Sequence, residues 1–239
     1  MKETIVILHG WGLTGDRFAG LAREFSKLGY RVFSPDLPGF GQEKIPPRPF
    51  SLTDYAEFLF NFCKKNQVFR AILVGHSFGG RIALKFNELY PEHVAALVLS
   101  GTPGFTPVSR EKLAVVIALA KIFGLVFKIP PFSFFEGPVR LWYYYVVGAK
   151  EFLRAEGTMR QTFKNIVREE LVSSMRAVRC PTVLIWGRQD IIIPLAIAER
   201  MLGQIKNSKL KVVDGTDHGL PFRQPKKFVQ VADEFLRTI

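Results

Sequence analysis

Ala71-Ile72-Leu73-Val74-Gly75-His76-Ser77-Phe78-Gly79-Gly80-Arg81-Ile82-Ala83-Leu84-Lys85-Phe86 decides how the rest of the chain is read. Four apolar residues of strand character run into a glycine-rich turn, and a helical pattern follows at once. Gly75-His76-Ser77-Phe78-Gly79 fits the G-x-S-x-G pattern in the setting that gives it meaning: strand, sharp turn, helix. A serine at such a turn sits on a strained backbone, and the flanking glycines prevent side-chain clashes. The helix that opens there points backbone N–H groups and its positive dipole end toward developing negative charge. Ser77 is therefore the candidate nucleophile.

The same alternation extends outward in both directions. Apolar runs of strand character are predicted at Thr4–Leu8, Arg31–Pro35, Ala71–Gly75, Val94–Ser100, Thr182–Trp186 and Leu210–Val213. Between them, amphipathic spacing predicts helices at Asp16–Leu28, Leu52–Asn66, Phe78–Leu89, Leu195–Ile205 and Pro225–Arg237. Tyr55, Phe58, Leu59 and Phe62 mark one face of the second of these, with Ser51 or Thr53 as its cap. Strands alternating with helices imply right-handed crossovers and a mostly parallel sheet covered on both faces. The fold class is α/β: a doubly wound sheet of about six strands. One segment, residues 103–176, lacks strands and carries a Pro-rich piece and the cluster Trp142, Tyr143, Tyr144, Tyr145. It interrupts the sheet pattern, so it reads as a helical insertion into a core formed by residues 1–102 and 177–239. Thr158–Met175 reads as a helix returning from it.

A serine hydroxyl is a poor nucleophile near neutral pH and needs a base. Of the four histidines, His9 ends the first strand, His76 occupies the variable position of the turn, and His93 lies in a connecting loop. His218, in Asp214-Gly215-Thr216-Asp217-His218-Gly219, follows the last strand and opens at the carboxyl edge, where Ser77 also lies. It is the candidate base. An acid that orients it is expected after another strand end, in the order Ser, Asp, His. Asp190, in Trp186-Gly187-Arg188-Gln189-Asp190, meets that description; Asp217 and Asp36 are its rivals. A tetrahedral intermediate requires two N–H donors. Phe78, next to the nucleophile, supplies one, and Trp11 in His9-Gly10-Trp11-Gly12 is the candidate for the other, with a pocket-lining role as its alternative.

Composition narrows the remaining classes. A chain of 239 residues, 48% hydrophobic with 22 Phe, can bury a large core and is not disordered. Two cysteines, Cys63 and Cys180, read as reduced core thiols rather than a disulfide framework. The net charge of +12 raises nucleic acid, anionic membranes or acidic partners, but the Lys and Arg residues are scattered with no run of five. Nucleic-acid binding is not expected. Leu113–Phe127 is too short, and is interrupted by Lys121, so it is not expected to span a bilayer. Met1–Thr4 runs directly into an apolar strand with no export pattern, so a cytoplasmic location is expected. No metal or other cofactor is called for.

Together, His9-Gly10-Trp11-Gly12, Asp36-Leu37-Pro38-Gly39-Phe40-Gly41, Gly75–Gly80, Trp186–Asp190 and Asp217-His218-Gly219 resemble the α/β-hydrolase superfamily over nearly the whole chain. The resemblance implies a serine hydrolase cleaving carboxylic esters through an acyl-enzyme. It also implies that the insertion is a lid over an acyl pocket, where Trp142 is the candidate substrate-binding residue, unless that aromatic cluster packs only the lid itself. Two departures stand out: the family's usual first two strands are missing, and Asp217 precedes the histidine where a small residue is common. The His9–Leu13 and Asp36–Gly41 segments also resemble the pimeloyl-carrier-protein methyl ester esterases, for which a basic surface would suit an acidic carrier protein. Lactonase, thioesterase or carbon–carbon hydrolase chemistry on the same triad, and a hydrolase-like ligand receptor, are the other readings.

Overall fold

A computed structural model describes residues 3–105 and 157–239. Its centre is one sheet of six parallel strands: β1 (Thr4–Leu8), β2 (Arg31–Phe33), β3 (Ala71–His76), β4 (Val94–Ser100), β5 (Thr182–Gly187) and β6 (Ser208–Val213). Their spatial order is β2-β1-β3-β4-β5-β6. The helices are α1 (Ala19–Lys27), α2 (Leu52–Lys65), α3 (Phe78–Leu89), α4 (Gly157–Arg168), α5 (Val172–Ala177), α6 (Leu195–Leu202), α7 (Leu220–Arg223) and α8 (Pro225–Leu236), with short 3₁₀ turns at Gly15–Phe18 and Pro91–His93.

Side chains alternate along each strand and feed two apolar layers. Val6, Leu8, Leu73, Leu184 and Trp186 pack on one face with α2, α3 and α6. Ile5, Ile7, Val74, Val183 and Ile185 pack on the other with α1 and α8. Both faces are dry, which explains why the central strands are nearly all apolar. The chain passes from β1 to β2 on one side and then returns to β3 on the other. The loops after β1 and β3 therefore diverge at the carboxyl edge and leave a crevice, the position where parallel sheets bind ligands.

The elements differ from expectation at several places, among them the 3₁₀ turn Gly15–Phe18 at the start of the first predicted helix and the end of α6 at Leu202, three residues early. β2 ends at Phe33, two residues early, because the chain bends away before Pro35, which has no N–H to extend the ladder. β6 begins two residues early, at Ser208. It is an edge strand in which Lys209 and Lys211 alternate outward, which hides the apolar period and also blocks pairing with another chain. α7, next to the His218 loop, was not anticipated. The predicted helix Thr158–Met175 is two helices, α4 and α5. Buried Arg81 of α3 donates to the carbonyls of Ile166 and Glu169, and also to that of Pro103, drawing the end of α4 onto the core beside the end of β4. Burial pulls the Arg81 pKa down to about 10, so it keeps its charge at neutral pH. α4 is further tied to the loop before α2: Thr162 Oγ1 accepts from Phe50 N–H at 2.9 Å, and Thr158 donates to the Pro46 carbonyl at 2.9 Å. Trp142 and the rest of 106–156 lie outside the described residues. Ser51 caps α2 in a reciprocal pair with Asp54.

Candidate active site

β3 ends in the turn that carries Ser77. Its φ of 52° and ψ of −114° are a conformation that L-residues adopt only at a cost of about 1–3 kcal/mol. The surroundings enforce it. The Ser77 N–H donates to the Ser100 carbonyl of the neighbouring strand at 2.9 Å, and the Ser77 carbonyl accepts the first bond of α3 from Gly80 at 3.0 Å. α3 must approach the sheet closely for this, and a Cβ on Gly79 would lie 2.1 Å from the Leu8 carbonyl oxygen. No side chain fits there.

His218 and Asp190 meet on the next part of the edge, with His218 Nδ1 2.8 Å from Asp190 Oδ2. The other carboxylate oxygen, Oδ1, accepts the N–H groups of Ile192 at 2.9 Å and Ile193 at 2.8 Å. Asp190 is buried, and both its oxygens are used. Because an ionised carboxylate can only accept, the proton of neutral His218 resides on Nδ1 and a lone pair is left on Nε2. Gly101 completes the arrangement. Its φ is +56°, and a Cβ there would lie 2.6 Å from His218 Cε1 and 3.4 Å from Asp190 Oδ2. This glycine directly follows β4, and Ser100 before it holds Ser77, so His218 lies across the end of β4 from the serine. Sequence reasoning missed Gly101; the available signal was a glycine closing the strand beside the nucleophile strand.

The rival aspartates are engaged elsewhere. Asp217 accepts from Gly219 N–H at 2.8 Å and pairs with Arg223 at the surface. Asp36 accepts from Gly15 N–H at 2.7 Å and Gln42 N–H at 2.9 Å, so it braces two loops. Neither faces His218.

On the other side of Ser77, the loop after β1 forms a β-turn in which Leu13 N–H donates to the Gly10 carbonyl at 3.1 Å. Gly12 holds φ at 72° within it. A β-turn of this kind uses only its first carbonyl and last N–H, so it leaves the Trp11 N–H uncommitted. A Cβ on Gly10 would lie 3.4 Å from Ser77 Cβ, which places the turn against the serine. As the first residue of α3, Phe78 has no intrahelical acceptor for its N–H. His9 fixes the turn from behind. Its Nδ1–H donates to the Gly10 carbonyl at 2.8 Å and its Nε2 accepts from Leu37 N–H at 2.9 Å, which requires a neutral ring. An aromatic collar, also missed from the sequence, surrounds the turn. The Trp11 ring lies edge-on to Phe40 at 4.9 Å, Phe163 of α4 at 5.0 Å and Phe78 at 5.3 Å. Its members are far apart in sequence, so spacing carried no sign of it.

The remaining candidates do other things. His93 bonds the Phe69 carbonyl near the surface. Cys63 and Cys180 are free thiols, and burial pushes both up to about 11. They are protonated at neutral pH and are not nucleophiles there. Among the described residues, no three His, Cys, Asp or Glu side chains are placed to hold a metal, and no helix is long and apolar enough to cross a membrane.

His9 and His76 are buried, and burial lowers the pKa of both. Each then binds its proton more readily when unfolded, so stability is complete above about pH 6.5 and falls as pH drops toward the lowered folded values. The slope is up to about 1.4 kcal/mol per pH unit for each histidine. Thermal melts at pH 7.5, 6 and 5 should show a progressive fall in Tm, less steep in His9→Gln. Equal slopes in the two proteins would exclude His9 as a source.

A family model described as alpha/beta hydrolase fold matches residues 3–134. The chain belongs to that family. Its relatives within the α/β-hydrolases are of more than one kind. A 2-hydroxy-6-oxononadienedioate/2-hydroxy-6-oxononatrienedioate hydrolase of Burkholderia vietnamiensis is 28% identical over 259 residues, covering 99% of this chain and 88% of that protein. Among solved structures, an esterase from Exiguobacterium antarcticum superposes with a TM-score of 0.76 at 21% identity, covering 99% of this chain and 92% of that one. A bromoperoxidase from Bacillus anthracis gives 0.75 at 19% identity over the same shares. At these identities the structural likenesses establish the shared α/β-hydrolase fold.

Proposed function

We propose that this α/β-hydrolase cleaves carboxylic esters through an acyl-enzyme, with Ser77 as nucleophile, His218 as base and Asp190 as the acid that orients it. The observation that carries this reading is the His218–Asp190 pair at 2.8 Å, across Gly101 from a serine held at positive φ. His218 Nε2 takes the Ser77 proton as Oγ attacks the ester carbonyl, and the carbonyl oxygen takes up negative charge. The N–H groups of Trp11 and Phe78 stabilise that charge. Collapse expels the alcohol, which is protonated by His218, and water repeats the cycle to release the acid.

Residues 103–176 are read as a cover over the acyl pocket, with α4 its docked return. The described part of the pocket wall is the aromatic collar, so an apolar acyl group of short to medium length is the expected fit. The test is a panel of p-nitrophenyl esters of increasing chain length. Each buried methylene is worth about 0.8 kcal/mol, or roughly fourfold in kcat/KM, until the pocket fills. No turnover of any member would overturn the ester reading. A second reading, hydrolysis of a carbon–carbon bond, is favoured by the relative from Burkholderia vietnamiensis, whose named substrates are oxo-dienedioates and oxo-trienedioates. Turnover of such a compound with no ester turnover would select it. The net charge of +12 also suits a substrate carried on an acidic protein. In that case kcat/KM falls steeply with salt for the carried ester and hardly at all for a neutral one.

Phe163 provides a sharper check of the pocket. Phe163→Ala removes the collar member contributed by α4 and leaves Ser77 and His218 in place. The ratio of kcat/KM for a bulky acyl ester to that for an acetyl ester should rise by about tenfold, the scale on which apolar pockets discriminate. An unchanged ratio would mean that the collar does not touch the acyl group.

A further inference from the structure

His76 is a buried group that the proposed chemistry leaves unused. It ends β3, directly before Ser77, and is 2% exposed. Its ring lies 4.7 Å from that of His218, tilted at 51°. Phe18 and Phe222 pack around it at 5.7 Å and 5.6 Å. Across the sheet it stands in register with Ser100, whose carbonyl receives the Ser77 N–H. Among the described residues its buried Nδ1 meets no hydrogen-bond partner. An unsatisfied buried polar atom is disfavoured, and phenylalanine would fill this space among aromatic rings without that cost.

We propose that His76 is a positioning residue for the base: a buried imidazole, packed between Phe18 and Phe222, that seats the His218 ring and excludes water from its inner face. Its backbone runs directly into Ser77 and its ring lies against His218, so one residue joins the strand of the nucleophile to the ring of the base. Its neutrality matters, because a cation at 4.7 Å would oppose the imidazolium that His218 must become. The ionisable groups that bear on the pair are Asp190 after β5 and His9 after β1. Arg17 and Arg223 lie beyond them over the Phe222 ring.

The role rests on the triad reading, but its main test needs no turnover. With four histidines in the chain, each imidazole C–H can be followed by NMR from pH 5 to 9 in wild type, His76→Ala and His76→Phe. In His76→Ala, water reaches His218 and its charged form is easier to reach, so its midpoint should rise by about 0.5 pH or more. In His76→Phe the seat is still filled, and the midpoint should stay at or below the wild-type value. On an aryl ester, His76→Ala should lower kcat by about tenfold with KM within threefold, and His76→Phe should recover most of the loss. A His218 midpoint that is the same in His76→Ala as in wild type would overturn the proposal. So would a His76→Phe midpoint that rises as far as that of His76→Ala, since the ring would then not be what seats the base. If no ester is turned over while the midpoints move as expected, the esterase reading fails and the seating of His218 stands.

Discussion

Ser77→Ala should lower kcat for any ester this protein hydrolyses by at least about 10⁴-fold, to the level that oxyanion stabilisation and binding alone sustain. The large effect follows from the geometry. No thiol can replace the hydroxyl: Cys63, buried, and Cys180, partly buried, are both protonated and lie in the apolar layer beside the sheet. The fold should survive, because alanine keeps the Cβ, and the Ser77 N–H and carbonyl bonds that hold the turn belong to the backbone. Tm within a few degrees of wild type together with lost turnover and lost labelling by a fluorophosphonate is the expected pattern. Activity within tenfold of wild type would show that Ser77 is not the nucleophile.

Asp190→Asn should be nearly as severe, about 10⁴-fold in kcat, although it changes one atom. The amides of Ile192 and Ile193 both point at one oxygen of residue 190 and demand an acceptor there. The asparagine carbonyl must satisfy them, so its NH₂ is turned toward His218. A donor facing Nδ1 forces the imidazole proton onto Nε2, and the lone pair required to take the Ser77 proton is gone. Asp217→Asn provides the contrast. Its pairing with Arg223 is at the surface and worth little, and asparagine still accepts from Gly219. Activity should remain within a few-fold of wild type. Greater damage from Asp217→Asn than from Asp190→Asn would reverse the choice of acid.

What could be read in the sequence was local. The run from Ala71 to Phe86 specifies strand, turn and helix through neighbours in the chain, and the apolar strands announce a sheet covered on both faces because burial on each side tolerates no polar residue. The six strands and their alternation with helices follow from that pattern, and strands blurred only where solvent or proline intervened, at Lys209 and Lys211 of the edge strand and before Pro35. Candidate site residues were legible as types at strand ends. Which of them meet was not, since Asp36, Asp190 and Asp217 all stand close after strands. Only the packing of β5 beside β4, with Gly101 yielding the space, puts Asp190 on His218 while loop closure and Arg223 occupy the other two. Likewise Trp11, Phe40, Phe78 and Phe163 form a collar, and His76 underlies His218, through contacts between residues far apart in the chain. A linear pattern records which face a side chain is on. Which neighbour it finds there depends on the order of strands in the sheet, and that order is set by the tertiary fold.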